Sequence, residues 1–278
     1  MIIDAHQHFW TTARTDYGWL TPELTGLYRD FQPADLAPLL AAHGVDGTVV
    51  VQAAPSEAET RYLLDLARDW PIARAVVGWV DMSAPNAEQS LGQLADNKLL
   101  RGVRPMIQDQ PDRDWMLRPS VGAALRGVIQ CGLTFDALVR PRHLPALQVL
   151  VDRHPELPVV IDHGGKPDIA AGAYGAWADD IRALSERPRV MCKLSGLLSE
   201  AGPRKTDADL RPYVDHLLAC FGPARLMWGS DWPVLTEAGD YGGWYDQARR
   251  LVQGLSADEQ AQVFGLTAAG FYGIEERS

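Results

Sequence analysis

Three cysteines in 278 residues, Cys131, Cys192 and Cys220, are too few and too scattered for a disulfide framework or a zinc knuckle. They predict buried free thiols. A basic cluster is missing as well. Lys and Arg number 26 against 36 Asp and Glu, a formal charge of -10, which argues against nucleic acid or an anionic membrane as partner. No apolar run approaches the ~18 residues of a bilayer span, and no basic leader precedes the first apolar stretch. These absences predict a cytoplasmic protein acting on a small molecule. No glycine-rich phosphate fingerprint follows the opening residues, which disfavours a dinucleotide fold.

What is present is an alternation of β-branched runs and helical patterns. Strands are predicted near 2–8, 47–53, 75–80, 100–106, 133–139, 159–163, 190–195 and 226–231. Helices are predicted over 33–43, 56–70, 86–97, 119–130, 144–154, 174–187, 210–221 and 241–255. Gly44 supplies a left-handed stop for the first helix. Ser56 with Glu59 has the spacing of a capping box. Eight strand–helix repeats in one chain of this length predict an α/β protein, a (β/α)8 TIM barrel forming a single domain over 1–278. A last helix near 257–272 has no strand after it and is expected to pack across the barrel. The connections 9–32, 107–118 and 196–209 are long and follow strands, so they should rise over the C-terminal face, where barrel active sites lie.

On that reading the polar residues at strand ends converge. His6 and His8 end the first strand, two apart and therefore on one side of it. Arg104 ends the fourth strand and Asp136 lies on the fifth. Asp162 and His163 end the sixth, Lys193 and Ser195 the seventh, and Asp231 the eighth. A closed barrel makes the first and eighth strands neighbours, so Asp231 should share a pocket with His6 and His8. His43, His143, His154 and His216 sit on or at the ends of helices and are expected to be structural. Lys166 follows a Gly-Gly turn beside the pocket and is a candidate for binding substrate oxygen.

Four stretches carry a resemblance: Asp4-Ala5-His6-Gln7-His8-Phe9-Trp10, Gly102-Val103-Arg104, Asp162-His163-Gly164-Gly165-Lys166-Pro167 and Trp228-Gly229-Ser230-Asp231-Trp232-Pro233. In this order they resemble the amidohydrolase superfamily. More narrowly, they resemble its sugar-lactonase branch, with the L-fuconolactonases, L-rhamnonolactonases and 2-pyrone-4,6-dicarboxylate lactonases. Binuclear members carry a bridging lysine or glutamate on the fourth strand and a histidine on the fifth. Here Arg104 and the run Leu133-Thr134-Phe135-Asp136-Ala137-Leu138 stand in those places, so two metals are not expected.

The resemblance implies hydrolysis of a sugar lactone to its aldonic acid. Asp231 activates water, and His6, His8 and His163 hold the carbonyl oxygen. Arg104 and Lys166 are candidates for substrate binding, with Trp10, Trp115 and Trp232 as a wall for the sugar. No cofactor is required on the first reading. The alternative within the superfamily is a mononuclear hydrolase or decarboxylase holding one divalent ion, zinc or manganese, on His6, His8 and Asp231, with His163 as a further ligand. From other classes come a Schiff-base aldolase using Lys193 or Lys166 and a non-catalytic ligand-binding barrel.

Overall fold

A computed structural model describes residues 1–275. Its eight parallel strands lie side by side in chain order: β1 Ile3–Gln7, β2 Gly47–Val51, β3 Ala73–Gly78, β4 Leu100–Val103, β5 Thr134–Ala137, β6 Val159–Ile161, β7 Val190–Leu194 and β8 Leu226–Trp228. Helices cover the outside of this barrel, as the alternation predicts. The strands are shorter than their apolar runs, and β8 stops three residues before Asp231. Among the described residues no helix is long and apolar enough to cross a membrane. Of the three cysteines only Cys192 is fully buried, with Cys131 and Cys220 partly exposed and all three free.

The barrel closes between β1 and β8 just beyond the strand ends. The His8 amide donates to the Trp232 carbonyl and the Asp231 amide to the His6 carbonyl, both at 2.8 Å. Gly229 makes this approach possible, since a Cβ there would stand 2.8 Å from the His6 Cβ and 3.0 Å from its backbone nitrogen.

The interior is identified by its contacts. Ile3, Ala5, Val49, Val51, Ala75, Val77, Val160 and Met227 pack into one cluster, and residues of β3, β6 and β8 meet only through the middle of a barrel. Ala268, Ala269, Tyr272 and Ile274 close its lower end. The first three come from the last helical segment, which runs as Ala257–Ala261, a π-helical turn Gln262–Leu266 and Thr267–Tyr272, and Ile274 follows it. Strict alternation from Ile3 and Ala5 would bring Gln7 inward and turn His6 and His8 away. The pairing of β1 with β2 shifts between Asp4 and Gln7, which oppose Thr48 and Val50, so three steps on β1 match two on β2. This bulge changes the phase of the strand. It turns both histidines into the barrel above the apolar plug.

The long first connection is held by its own aromatic core. The Trp10 ring packs on Trp19 and Phe31 at centroid distances of 5.2 and 5.1 Å. Its Nε1 donates to the Leu27 and Arg29 carbonyls at 3.2 and 2.9 Å. Ser56 caps its helix by accepting the Glu59 amide hydrogen at 3.0 Å. The Glu59 side chain does not complete the expected box. It accepts instead from the Ala53 and Ala54 amides, fixing the turn after β2 that walls the cavity above the barrel.

Candidate active site

Asp231 is the centre of the site. Its Oδ1 lies 3.3 Å from His8 Nε2, 3.8 Å from His6 Nε2 and 3.9 Å from His163 Nε2. His8 donates from Nδ1 to the Val51 carbonyl at 2.8 Å, because a carbonyl can only accept. His163 Nδ1 and Ser195 Oγ are 2.9 Å apart. Gly196 lies so close under that ring that a Cβ there would meet Nδ1 at 2.5 Å. His163, Lys166 and Asp231 all adopt left-handed backbone conformations, with φ of 55°, 51° and 60°. Non-glycine residues pay a steric penalty in that region. The strain sits on three residues that face one cavity.

Beneath Asp231 lies a layer of buried charge. Lys193 Nζ donates to Asp136 Oδ2 at 2.6 Å and stands 3.0 Å from Asp162 Oδ1 and 3.1 Å from His6 Nδ1. Tyr272 reaches up from the plug and donates to the same Asp136 oxygen at 2.6 Å. Asp162 acts through charge, since its oxygens are near Lys193 and Arg104 Nη1 (3.7 Å) yet make no well-angled hydrogen bond. Arg104 is itself held by Gln52, donating to its backbone carbonyl and receiving its amide nitrogen on the Arg104 carbonyl at 2.7 Å.

The surroundings set the charge states. Burial, then the Lys193 ammonium, drives His6 well below the ordinary imidazole range. Burial does the same to His163, against the pull of Asp231. Burial pushes the Asp231 carboxyl up, but His163, His8 and Lys166 outweigh it and hold the group below the usual carboxylate range. Asp162 is also held low, its burial outweighed by Lys193, His163 and Arg104. Asp136 is raised by burial despite Lys193. An ionised carboxylate thus faces neutral rings of His6 and His163.

A cavity of about 210 Å³ opens over this group, lined by His8, Arg104, His163, Lys166 and Asp231 together with Trp19, Met106, Gln108 and Leu138. His6 has no exposed surface and lies below the lining residues. The expected aromatic wall is different. Trp10 and Trp232 are buried in the core of the first connection, Trp232 against Phe9 and Phe31. Trp115 lines a separate cavity with Trp79 and Arg118. Trp19 takes the wall position, its ring fixed by donation from Nε1 to the Ala53 carbonyl at 2.7 Å. Its place in the first long connection was the signal for it. Gln108 and Leu138 carried none.

His43, His143 and His216 are occupied structurally, on the Leu39 carbonyl, the Arg140 amide and the Ala178 carbonyl. Lys193 points inward, but it is enclosed by Asp136, Asp162 and His6, and no substrate carbonyl can reach its Nζ. Lys166 does reach the cavity, where it pairs with Glu200 at 3.3 Å. Neither arrangement suits a Schiff-base amine, which must be neutral and accessible.

His6, His163 and Asp231 each offer a ligand atom, and these atoms lie within 4.8 Å of one another. Two neutral imidazoles and a carboxylate are the donor set of a mononuclear divalent site, so the residues fit one ion by type and spacing. Arg104, just after β4, and Asp136 of β5 stand at the other strand ends here, and no second group of this kind occurs among the described residues.

Residues 3–274 match the profile of the Amidohydrolase family. The chain is 47% identical over 280 residues to an L-fucono-1,5-lactonase of Burkholderia ambifaria, covering 99% of this chain and 97% of that protein. It is 39% identical to an L-fucono-1,5-lactonase of Burkholderia multivorans, over 99% and 96% of the two chains. The solved structure of a Burkholderia multivorans amidohydrolase with bound zinc is similar at a TM-score of 0.93 and 36% identity, over 99% and 100%.

Proposed function

The chain belongs to the amidohydrolase family, and from that premise we propose that it hydrolyses a sugar lactone, with L-fucono-1,5-lactone as substrate. The observation that carries the chemistry is Asp231, an ionised carboxylate at the base of the cavity with the Nε2 atoms of three histidines within 3.9 Å of its Oδ1.

In this reading Asp231 accepts a proton from water as the water oxygen attacks the lactone carbonyl carbon. The carbonyl π pair moves onto oxygen, and N–H groups of Arg104, Lys166 and His163 stabilise the oxyanion. When the oxyanion collapses, the bond from the carbonyl carbon to the ring oxygen breaks. The proton on Asp231 passes to that oxygen, and the product is an open-chain hydroxy acid. Ser195 serves His163 by donating to Nδ1, which leaves the hydrogen on Nε2, toward the cavity. Trp19, Met106 and Leu138 offer an apolar face, and Gln108 a polar one, to a small hydroxylated ring.

The 4.8 Å cluster favours a second reading, in which His6, His163 and Asp231 hold one divalent ion. When bound, such an ion supplies Lewis-acid polarisation of the carbonyl.

The test is acid release from a panel of sugar lactones in a pH-indicator assay, with and without chelator. Turnover of L-fucono-1,5-lactone well above its spontaneous opening supports the proposal. Rates equal to the enzyme-free control across the panel remove it. Loss of activity with chelator, restored by zinc or manganese, selects the second reading.

A further inference from the structure

The layer below the cavity contains a residue that the reaction scheme does not use. Lys193 is completely buried in the barrel, and an ammonium carries three donors and no acceptor. Three acceptor atoms stand within 3.1 Å of its Nζ: Asp136 Oδ2, Asp162 Oδ1 and His6 Nδ1. Two donors cannot face each other at 3.1 Å without repulsion, so His6 Nδ1 accepts and its ring hydrogen resides on Nε2.

At the other end of the ring His6 Nε2 stands 3.2 Å from His8 Nε2, 3.5 Å from Arg104 Nη1 and 3.8 Å from Asp231 Oδ1. Arg104 is a donor at the outer limit of hydrogen-bond distance, whereas the Lys193 donor is nearer to the ring at 3.1 Å, so the lone pair belongs on Nδ1. A hydrogen on Nε2 then points at His8 Nε2 and the Asp231 carboxylate. The alternative tautomer would place a hydrogen on His6 Nδ1, toward Asp162 Oδ1 at 3.5 Å, and leave a lone pair on Nε2.

We propose that Lys193 is a positioning residue that locks His6 as the Nε2–H tautomer, making His6 a hydrogen-bond donor to the His8–Asp231 pair and withdrawing its Nε2 as a metal ligand. The choice moves one hydrogen between two nitrogens of a neutral ring. A donor at His6 Nε2 orients the Asp231 carboxylate from below, and a lone pair there would complete the metal cluster. Lys193 decides between these two uses of the same atoms. The catalytic consequence rests on the lactonase reading; the tautomer itself does not.

The experiment is long-range ¹H–¹⁵N correlation NMR on the ¹⁵N-histidine-labelled wild-type protein without substrate. The His6 signals are assigned by their loss in His6→Asn. The Nε2–H pattern is expected, and the Nδ1–H pattern overturns the proposal. In Lys193→Met the hydrogen should move to Nδ1. Zinc affinity by equilibrium dialysis should rise by about tenfold or more, and kcat should fall by about tenfold or more with KM little changed. A folded Lys193→Met that keeps the Nε2–H pattern and the wild-type zinc affinity also overturns it. If Lys193→Met does not fold, the wild-type spectrum decides alone. Absence of lactone turnover beside an Nε2–H spectrum counts against the lactonase reading and leaves the tautomer assignment standing.

Discussion

The Asp4 carboxylate accepts the Ser230 amide hydrogen at 2.8 Å, joining the strand that carries the histidines to the turn that carries Asp231. The same Oδ1 accepts from the His6 amide at 3.2 Å, and Tyr241 donates to Oδ2 at 3.2 Å. One buried side chain thus sets the spacing of the seam on which the site depends.

That position makes stability depend on pH. Burial raises the Asp4 carboxyl from the ordinary 3.8 to about 6, against lowering by its bonds from Ser230, His6 and Tyr241. Between those values the folded state binds more protons than the unfolded state, so stability falls as pH rises through the window. The loss attributable to Asp4 is about 3 kcal/mol, complete above pH 6 and absent below pH 4. Urea unfolding of Asp4→Asn, which keeps an acceptor for Ser230 and His6, should show a flatter pH dependence than wild type from pH 4 to 6.5. An unchanged slope would show that Asp4 does not titrate in this range.

Asp231→Asn should lower kcat by about 10³-fold, within the range for loss of a general base. The circular dichroism spectrum and melting temperature should remain close to wild type, because the Asp231 amide bond to His6 is a backbone bond and survives. Turnover near the wild-type rate would exclude Asp231 as the base.

Gly229→Ala tests the seam sterically. The added Cβ would meet the backbone and Cβ of His6, neither of which can rotate away. Forcing that gap should cost about 1–3 kcal/mol and lower kcat more than it raises KM, since it displaces His6 and Asp231 relative to each other. A variant with wild-type stability and kinetics would mean that the seam yields without consequence.

The two tryptophans on either side of the cavity wall should separate in their effects. Trp19→Ala removes a lining ring and should raise KM about tenfold, or about 1.4 kcal/mol of binding, with kcat largely kept. Trp232→Ala empties a packed site against Phe9 and Phe31 and should cost about 3–5 kcal/mol of stability. Steady-state kinetics and thermal melts distinguish them; a KM effect from Trp232 alone would reverse the assignment.

How much of this was legible in the chain differs by residue. The alternation of β-branched runs with amphipathic stretches specified eight strand–helix units. The short motifs placed His6, His8, His163, Arg104 and Asp231 at strand ends, which a barrel gathers at one face. That the chain is a (β/α)8 barrel with these residues at its strand ends was therefore determined by the sequence itself, because periodicity and strand-end position are local properties; the family rests on the resemblance of the four motifs.

The tertiary structure decided the rest. His6 and His8 face inward because of a bulge in the pairing of β1 with β2, and the register of one strand against another is not written in the period of either. Trp19 lines the cavity while Trp10 and Trp232 are buried because loop packing assigns aromatics by shape, and composition treats them alike. Lys193 and Asp136 meet His6 and Tyr272 inside the barrel although 57 to 187 residues separate the bonded pairs. Barrel closure brings these distant chain segments into that buried layer, where the acceptors around one ammonium leave a single place for the hydrogen of His6.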